Sequence, residues 1–198
     1  DELWLKFDLG RTVFVTLGQA HVRWGATRIW NPVDVINTQR KEPLTPFDER
    51  TGIPLLKLHL PIESLGWNFM ALALLDEVDT FDDIGAALRA EFVFSTVELG
   101  VTGAFRKTRD PRAGLDLSAG VGDIDIGAEF GVRFGEDRAH WQASASLEYA
   151  LPILDEDSLI LGAEYFHQPD GYDSLEEAAL APLVGLEEGE LPSPDDIP

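Results

Sequence analysis

The amino-acid sequence predicts an all-β protein, an antiparallel up-and-down meander of about ten strands that forms a transmembrane β-barrel or part of one. Three observations support this prediction. Apolar residues recur at every second position through most of the chain, which is the period of a strand and not of a helix. The residues between them combine glycine, alanine and serine with charged side chains. The connections between the alternating runs are short at one end and often long at the other.

The alternation divides the chain into ten candidate strands. They cover residues 3–9, 11–24, 54–62, 66–76, 83–94, 96–107, 114–121, 123–135, 140–151 and 158–167. In the third of them, Leu56, Leu58 and Leu60 alternate with Lys57 and His59. Side chains two residues apart point to the same side of a strand, so the leucines and the polar residues lie on opposite faces.

The later strands divide in the same way. The apolar set of 83–94 comprises Ile84, Ala86, Leu88, Ala90, Phe92 and Phe94. The apolar set of 96–107 comprises Val97, Leu99, Val101 and Phe105. In "DIDIGAEFGVRFGED", which begins at Asp123, the positions between Ile, Ala, Phe and Val are Asp, Gly, Glu and Arg. The apolar set of 140–151 comprises Trp141, Ala143, Ala145, Leu147, Tyr149 and Leu151.

The connections at the two ends of the strands are expected to differ in length. Tight joins are expected at Gly10, 62–66, Ser95 and 121–122, with 151–157 somewhat longer. The intervening connections are 25–53, 77–82, 108–113, 136–139 and 168–198. Bacterial transmembrane barrels have short turns on one side and longer loops on the other, whereas a soluble sandwich has less reason for this asymmetry.

The composition of the two faces predicts which one meets lipid. A soluble barrel packs large aliphatic residues inside and carries dense Lys and Glu outside. Here small and charged residues share one face, which indicates a polar lumen, and the apolar face is expected to contact hydrocarbon. Aromatic residues near strand ends fit interfacial girdles, although they fit the caps of an ordinary core as well. They are Trp67, Phe94, Phe105, Phe134, Trp141, Tyr149 and Tyr165.

Overall composition excludes several classes of protein. The formal net charge of −21 argues against binding to nucleic acid, and no basic cluster interleaved with aromatic residues offsets it. The chain has no cysteine, which excludes disulfides and cysteine metal sites. It also contains no run of about 18 apolar residues, the signature of a transmembrane helix. We expect no metal, no cofactor and no nucleic-acid partner.

Residues 17–60 resemble a stretch of outer-membrane β-barrel proteins of Gram-negative bacteria, of the porin-like or export type. In that stretch a strand with a Gly-Arg/Gln pattern ends in Trp-Gly, an Asn-Pro-x-Asp loop follows, and Gly-x-Pro leads into the next strand. The matching residues are Gly18, Gln19, Arg23, Trp24, Gly25, Asn31, Pro32, Asp34, Gly52 and Pro54. The resemblance covers less than a quarter of the chain. It implies the Gram-negative outer membrane, contact with its lipid and lipopolysaccharide, more than ten strands and a transport or channel role.

The end of the sequence departs from this resemblance. Integral barrels of this kind usually finish in a strand with a terminal aromatic residue, whereas this chain finishes "LPSPDDIP". We therefore expect a segment of a longer barrel, and a complete ten-stranded barrel is the alternative because an even strand number can close. Residues 1–168 are expected to hold the strands and loops, and 169–198 to form an acidic loop or tail. From Asp170 onward the chain has nine acidic residues and no Lys or Arg.

Two sets of residues are candidates for function. The expected lumen lining comprises Lys57, His59, Arg89, Glu91, Glu98, Arg106, Asp116, Asp123, Asp125, Glu129, Arg133, Glu148 and Glu164. Acids outnumber bases in this set, so an open pore would favour cations, whereas pairing of the charges across neighbouring strands would brace the wall and leave little passage. The second set lies in or next to the long loop 25–53 and consists of Arg23, Arg28, Arg40, Lys41 and Arg50. These residues either constrict the lumen or pair with Asp34, Glu42, Asp48 and Glu49 to fix the loop.

The functional expectation is an outer-membrane channel for passive or facilitated passage of small hydrophilic solutes. The alternative is a non-channel structural or binding barrel whose lumen is closed by paired charges. A third possibility, a soluble barrel around an apolar ligand, requires the Ile/Leu/Phe face to point inward. We expect no enzymatic activity, because the four histidines are scattered and no Ser-His pair, phosphate loop or metalloprotease spacing occurs.

Overall fold

The computed structural model describes residues 2–37, 50–76, 78–153 and 158–170, and within them it confirms the antiparallel meander of ten strands. The strands are β1 (Leu3–Leu9), β2 (Val13–Ala20), β3 (Ile53–Ile62), β4 (Trp67–Leu74), β5 (Gly85–Phe94), β6 (Val97–Arg106), β7 (Arg109–Val121), β8 (Ile124–Phe134), β9 (Ala139–Pro152) and β10 (Ser158–His167). A short 3-10 helix, Phe81–Asp83, precedes β5. All ten strands form one sheet in chain order.

The sheet is open. In the described part of the chain, β1 pairs with β2 alone and β10 with β9 alone, so the order runs from one edge to the other without closing. The chain divides into two compact units, Asp1–His167 and Gln168–Pro198. The sheet belongs to the first unit, and of the second the structure describes only 168–170, so the predicted acidic tail falls almost wholly outside the described residues. Among the described residues, no helix is long and apolar enough to span a bilayer.

Most tight joins occur where the sequence predicts them. Gly122, with φ of +64°, occupies the two-residue turn between β7 and β8, where a left-handed backbone suits a tight antiparallel connection. Asp123, predicted to begin a strand facing the lumen, is the other residue of that turn. Asp123 therefore lies in a turn at the end of the sheet and not within a strand.

Two strands differ from the prediction by more than two residues at one end. β2 ends at Ala20 instead of residue 24, because the chain there leaves the sheet and Trp24 becomes buried in a core cluster. β7 begins at Arg109 instead of residue 114, even though Pro111 and three charged residues read as a loop. A register irregularity between Ala104 and Arg106 on β6 accompanies this early pairing.

The registers keep each face of the sheet uniform across strands. On one side Val101, Leu115, Phe130 and Ala143 form a continuous row across β6 to β9. On the other side the adjacent row is Gly100, Asp116, Glu129 and Ser144. We call these sides the apolar face and the polar face.

Candidate functional site

The polar face is covered by residues 21–37, which we call the covering segment. This segment connects β2 toward β3 and lies against β6 to β10, so it extends well beyond the two strands that it joins. The sequence places residues 21–24 of this segment at the end of the second strand and residues 25–37 in the long loop 25–53, which is a candidate for folding into the lumen. The structure therefore brings part of the predicted loop onto the predicted lumen-lining residues.

Glu129 of β8 binds the middle of the covering segment. Its Oε1 accepts hydrogen bonds from the main-chain N–H and the hydroxyl of Thr27, each at 2.7 Å. Its Oε2 accepts the main-chain N–H of Val33 at 3.1 Å. The Thr27 hydroxyl also lies 3.1 Å from that of Ser144 on β9. All four residues are buried, so each of these polar groups depends on the others in place of water.

Glu164 of β10 binds the next residues of the segment. Its carboxylate accepts three successive main-chain N–H groups, from Arg28 at 3.1 Å, Ile29 at 3.0 Å and Trp30 at 2.6 Å. Successive N–H groups that converge in this way form an anion-binding concavity. The Trp30 ring also stacks on Phe166, with centroids 4.7 Å apart. Two carboxylates of the sheet thus bind the covering segment mainly through its main-chain N–H groups.

Glycines on the polar face allow the close approach. A Cβ added at Gly131 would lie 2.4 Å from the carbonyl oxygen of Pro32, and one at Gly127 would lie 3.1 Å from that of Ala26. One at Gly114 would lie 3.0 Å from Val33. Glycine inside a strand often marks such an approach of another backbone. The strands therefore leave room at these glycines for the main chain of the covering segment to pack closely against the sheet.

The other part of the covered surface is apolar. Trp24, Val35 and Ile36 of the segment pack with β3, β4 and β5 in the main core cluster. The strand residues of this cluster are Ile53, Leu55, Leu72, Leu74 and Ala87. Arg106 on β6 anchors this end, because its guanidinium donates to the carbonyl of Ile36 at 3.0 Å. Burial of these side chains supplies a hydrophobic contribution to docking of the segment.

The predicted constriction arginines that the structure describes contact the covering segment or the strands beneath it. Arg23 donates to the carbonyl of Thr27, and Arg28 pairs with Glu148 at 2.7 Å. Arg50 pairs with Asp34 at 2.8 Å, as the loop-fixing alternative anticipates. Arg40 and Lys41 lie outside the described residues, as do Glu42, Asp48 and Glu49.

Asp34 is the buried acid of this loop. Burial raises the pKa of its carboxyl group, while the charge of Arg50 and the hydrogen bond from Asn37 act in the opposite direction. The Asn37 amide donates to Asp34 at 2.7 Å and to the carbonyl of Val22 at 2.8 Å. Asp34 therefore ties together the start and the end of the described loop.

Several charged lumen-lining candidates make ion pairs with other residues of the sheet or of its turns. Arg89 makes a bidentate pair with Asp116 at 2.7 and 2.8 Å, and a second pair with Glu91 at 2.7 Å. The bidentate pair passes over Gly100, where an added Cβ would lie 2.3 Å from Asp116. Arg106 pairs with Asp76 at 2.6 Å. These contacts join neighbouring regions of one sheet and are those of the braced-wall alternative.

The remaining candidates occupy less crowded parts of the polar face. His59 contacts Asn68 at 2.9 Å, and Arg133 lies 4.0 Å from Asp110. Lys57 and Glu98 are partly buried, and Asp125 is exposed and stands opposite Glu148. In the described residues, no group of three or more His, Asp or Glu side chains is arranged to hold a metal ion.

Sequence reasoning missed the residues of the covering segment that donate hydrogen bonds to Glu129 and Glu164. Thr27, Trp30 and Val33 act largely through main-chain N–H groups, which almost any residue offers. The available signal was the spacing of Gly114, Gly127 and Gly131 within alternating strands, which marks where a second chain segment fits.

Comparison with known proteins found no matching family model, no matching curated protein and no matching solved structure.

Proposed function

We propose that this chain forms part of the wall of an outer-membrane β-barrel that lets small hydrophilic solutes pass, with the covering segment narrowing the passage. The observation that carries the proposal is the inverted burial of the sheet. In β5, Leu88 is 62% exposed and its neighbour Arg89 is 5% exposed. In β8, Phe130 is 41% exposed and Glu129 is 4% exposed. Water favours the opposite arrangement, whereas contact with hydrocarbon favours this one.

The exposed apolar side chains extend from one edge of the sheet to the other. They include Leu5, Leu17, Leu58, Leu88, Phe105, Leu115, Phe130, Leu147 and Leu161. Apolar patches much larger than a few hundred Å² mark contact with protein or membrane. A surface that spans β1 to β10 fits the lipid of an outer membrane, including the acyl chains of lipopolysaccharide. It also argues against the soluble barrel that holds an apolar ligand inside, because that barrel requires these side chains to point inward.

The proposal requires closure of the sheet. In a bilayer, unpaired backbone N–H and C=O groups are costly, so both edges must be paired. β1 and β10 would pair either with each other or with further strands. Both arrangements leave the apolar face toward lipid and the polar face toward the bore.

A second candidate is a non-channel barrel that serves a structural or binding role. The ion pairs favour it, because Arg89, Arg106 and Arg133 each contact a carboxylate and the covering segment occupies part of the polar side. In this candidate the same wall and membrane location hold, and the connections between strands carry recognition. The two candidates differ only in whether solutes cross.

Single cysteines test the membrane orientation, since the natural chain has none. Leu88→Cys and Leu147→Cys lie on the apolar face, and Leu65→Cys, in the turn between β3 and β4, is the control. Spin labels at the first two positions should collide readily with oxygen and rarely with a water-soluble nickel complex in lipid vesicles. The label at residue 65 should show the reverse preference. Equal nickel accessibility at all three positions would remove the proposal.

Planar-bilayer recording tests the passage of solutes. The protein in its full natural length should give stepwise conductance after insertion. Insertion shown by the spin labels without any conductance would favour the non-channel candidate. Failure of insertion would exclude both.

A further inference from the structure

The hydroxyl of Thr27 lies within hydrogen-bonding distance of three other oxygen atoms beneath the covering segment. They are Oε1 of Glu129 at 2.7 Å, the hydroxyl of Ser144 at 3.1 Å and the main-chain carbonyl of Trp30. The side chains of Thr27, Glu129 and Ser144 are all buried. Each of the three contacts therefore needs a hydrogen atom from one of these groups and not from water.

An ionised Glu129 leaves one of the three contacts without a hydrogen atom. A hydroxyl carries one proton, whereas a carbonyl oxygen and an ionised carboxylate carry none. The hydroxyls of Thr27 and Ser144 then supply two protons for three contacts. In the described part of the chain, the carbonyl of Trp30 has no donor other than Thr27. Either this carbonyl or Glu129 would therefore face the Thr27 oxygen with lone pairs alone, which is repulsive.

A proton on Oε1 of Glu129 supplies the missing hydrogen atom. The hydroxyl of Thr27 then donates to the carbonyl of Trp30 and accepts from Ser144 and Glu129, which uses its one proton and both of its lone pairs. The main-chain N–H groups of Thr27 and Val33 still donate to the two carboxyl oxygens. Every contact of the structure is kept, and only the bond between Glu129 and the Thr27 hydroxyl changes direction.

The charges around Glu129 favour the same neutral form. Directly opposite on β7 stands Asp116, whose carboxylate is bound by Arg89 at 2.7 and 2.8 Å. In the described part of the chain, no basic side chain pairs with Glu129 itself. A buried carboxylate without a cation is costly, and such a group takes up a proton instead. The other charged groups on this side belong to β8, β9, β10 and the covering segment, and they are Asp125, Arg133, Glu148, Glu164, Arg23, Arg28 and Asp34.

We propose that Glu129 carries a proton when the covering segment is docked, so that docking takes up one proton from water. In the undocked state Glu129 meets water, where a glutamate is ionised at neutral pH. A group that holds its proton more tightly in the docked state strengthens docking at low pH and loses this contribution as the pH rises. The segment therefore covers the polar face more firmly in acid. This property of the segment holds whether or not solutes pass the bore.

Infrared spectroscopy of the full-length protein in detergent tests the proton directly. A protonated carboxyl has a C=O stretching band apart from those of ionised carboxylates, and the band shifts in D₂O. Near neutral pH the natural protein should show this band and Glu129→Gln should lack it. Asp125→Asn, which removes an exposed carboxyl of the same strand, should keep it. A natural protein without the band would overturn the proposal.

Variants of Thr27 test the hydrogen-bond count. Thr27→Val removes the oxygen that accepts the proton of Glu129, so the infrared band should weaken near neutral pH. Thr27→Ser retains a hydroxyl at this position and should keep the band. A band of equal strength in both variants would overturn the count on which the proposal rests.

Amide hydrogen exchange measures how docking responds to pH. After correction for the intrinsic exchange rate, protection of the N–H groups of Thr27 and Val33 should fall by up to about tenfold per pH unit between about pH 6 and about pH 8. Glu129→Gln cannot both donate to and accept from Thr27 at one atom, so its protection should be lower and should lose this pH dependence. Protection that rises with pH in the natural protein would overturn the proposal.

Bilayer recordings separate this inference from the proposed passage of solutes. If the covering segment narrows a passage, the conductance of the natural protein should increase with pH, and that of Glu129→Gln should change less. The infrared band and the pH-dependent protection without any conductance would leave the proton on Glu129 in place and exclude the proposed passage.

Discussion

The two faces of the sheet are built from alternate residues of the same ten strands, yet they are covered in different ways. The polar face is covered by the chain itself, through the segment of residues 21–37 and the bonds to Glu129 and Glu164. Within the described residues, the apolar face retains large exposed side chains from β1 to β10. The difference teaches that ionisable side chains such as Arg89 and Glu129 are buried where the chain itself supplies their partners, while many large apolar side chains of the same strands stay exposed.

The largest expected effect comes from placing a charge on the apolar face. Leu88→Arg, near the middle of β5, should destabilise the inserted protein by about 2 to 4 kcal/mol, the cost of an arginine facing lipid at mid-depth. The fraction that folds into lipid vesicles, followed by gel mobility before and after heating, measures the effect. Leu65→Arg, in a turn, is the control and should fold normally. Similar yields for the two variants would mean that the apolar face does not meet lipid.

Removal of the Glu129 carboxylate should break the cover of the polar face. Glu129→Ala leaves the N–H groups of Thr27 and Val33 buried without an acceptor, which should cost about 2 to 3 kcal/mol. Glu148→Ala is the matched control, because its partner Arg28 is largely exposed and the loss should stay below about 1 kcal/mol. Urea unfolding in detergent measures both changes. Equal losses would show that the main-chain bonds to Glu129 contribute little.

A smaller effect is expected from filling the space between the wall and the covering segment. In Gly131→Ala the new Cβ meets the carbonyl of Pro32, and partial displacement of the segment should cost about 1 to 2 kcal/mol. Gly103→Ala, whose nearest atom would be 3.8 Å away, makes the same chemical change with room to spare. The comparison uses the same urea assay. A Gly131→Ala protein as stable as Gly103→Ala would show that the segment is not held this closely.

The smallest effect should come from a charge that belongs to neither face. Asp83 ends the 3-10 helix before β5, and hydrogen bonds from the Thr80 hydroxyl and main-chain N–H hold the pKa of its carboxyl below its usual range. A lowered folded pKa gives a contribution to stability that is present above the ordinary value of 3.8 and is lost as the pH falls through the folded value. Urea midpoints from about pH 5 to about pH 3 should therefore fall slightly more for the natural protein than for Asp83→Asn.

The control for this prediction is Asp82→Asn, which removes the neighbouring charge. It should keep the fall in stability. If Asp83→Asn loses stability with acid as steeply as the natural protein, the Thr80 contacts have no measurable role.

The sequence predicted the strands and faces well because alternation is a local property. In β8, each residue from Ile126 to Arg133 lies on the face that its parity assigns. The bounds of β7 were less predictable, since the pairing of Arg109 with Arg106 depends on an irregularity in the neighbouring strand. The contacts of the covering segment were harder still, because they join carboxylates to main-chain groups more than 90 residues away. Such bonds leave no side-chain pattern in the segment, whereas the glycines that receive it do leave one.

The covering segment also implies an order of assembly. Each hairpin joins strands adjacent in the chain, so strand pairing can proceed step by step with small losses of chain entropy. The bond between Thr27 and Glu129 spans 102 residues, and that between Trp30 and Glu164 spans 134. The carboxylates of Glu129 and Glu164 reach their positions beside the covering segment only after β8 and β10 have joined the sheet. Docking of the covering segment therefore completes folding, and a chain stalled before that step would have a fully paired sheet with an uncovered polar face.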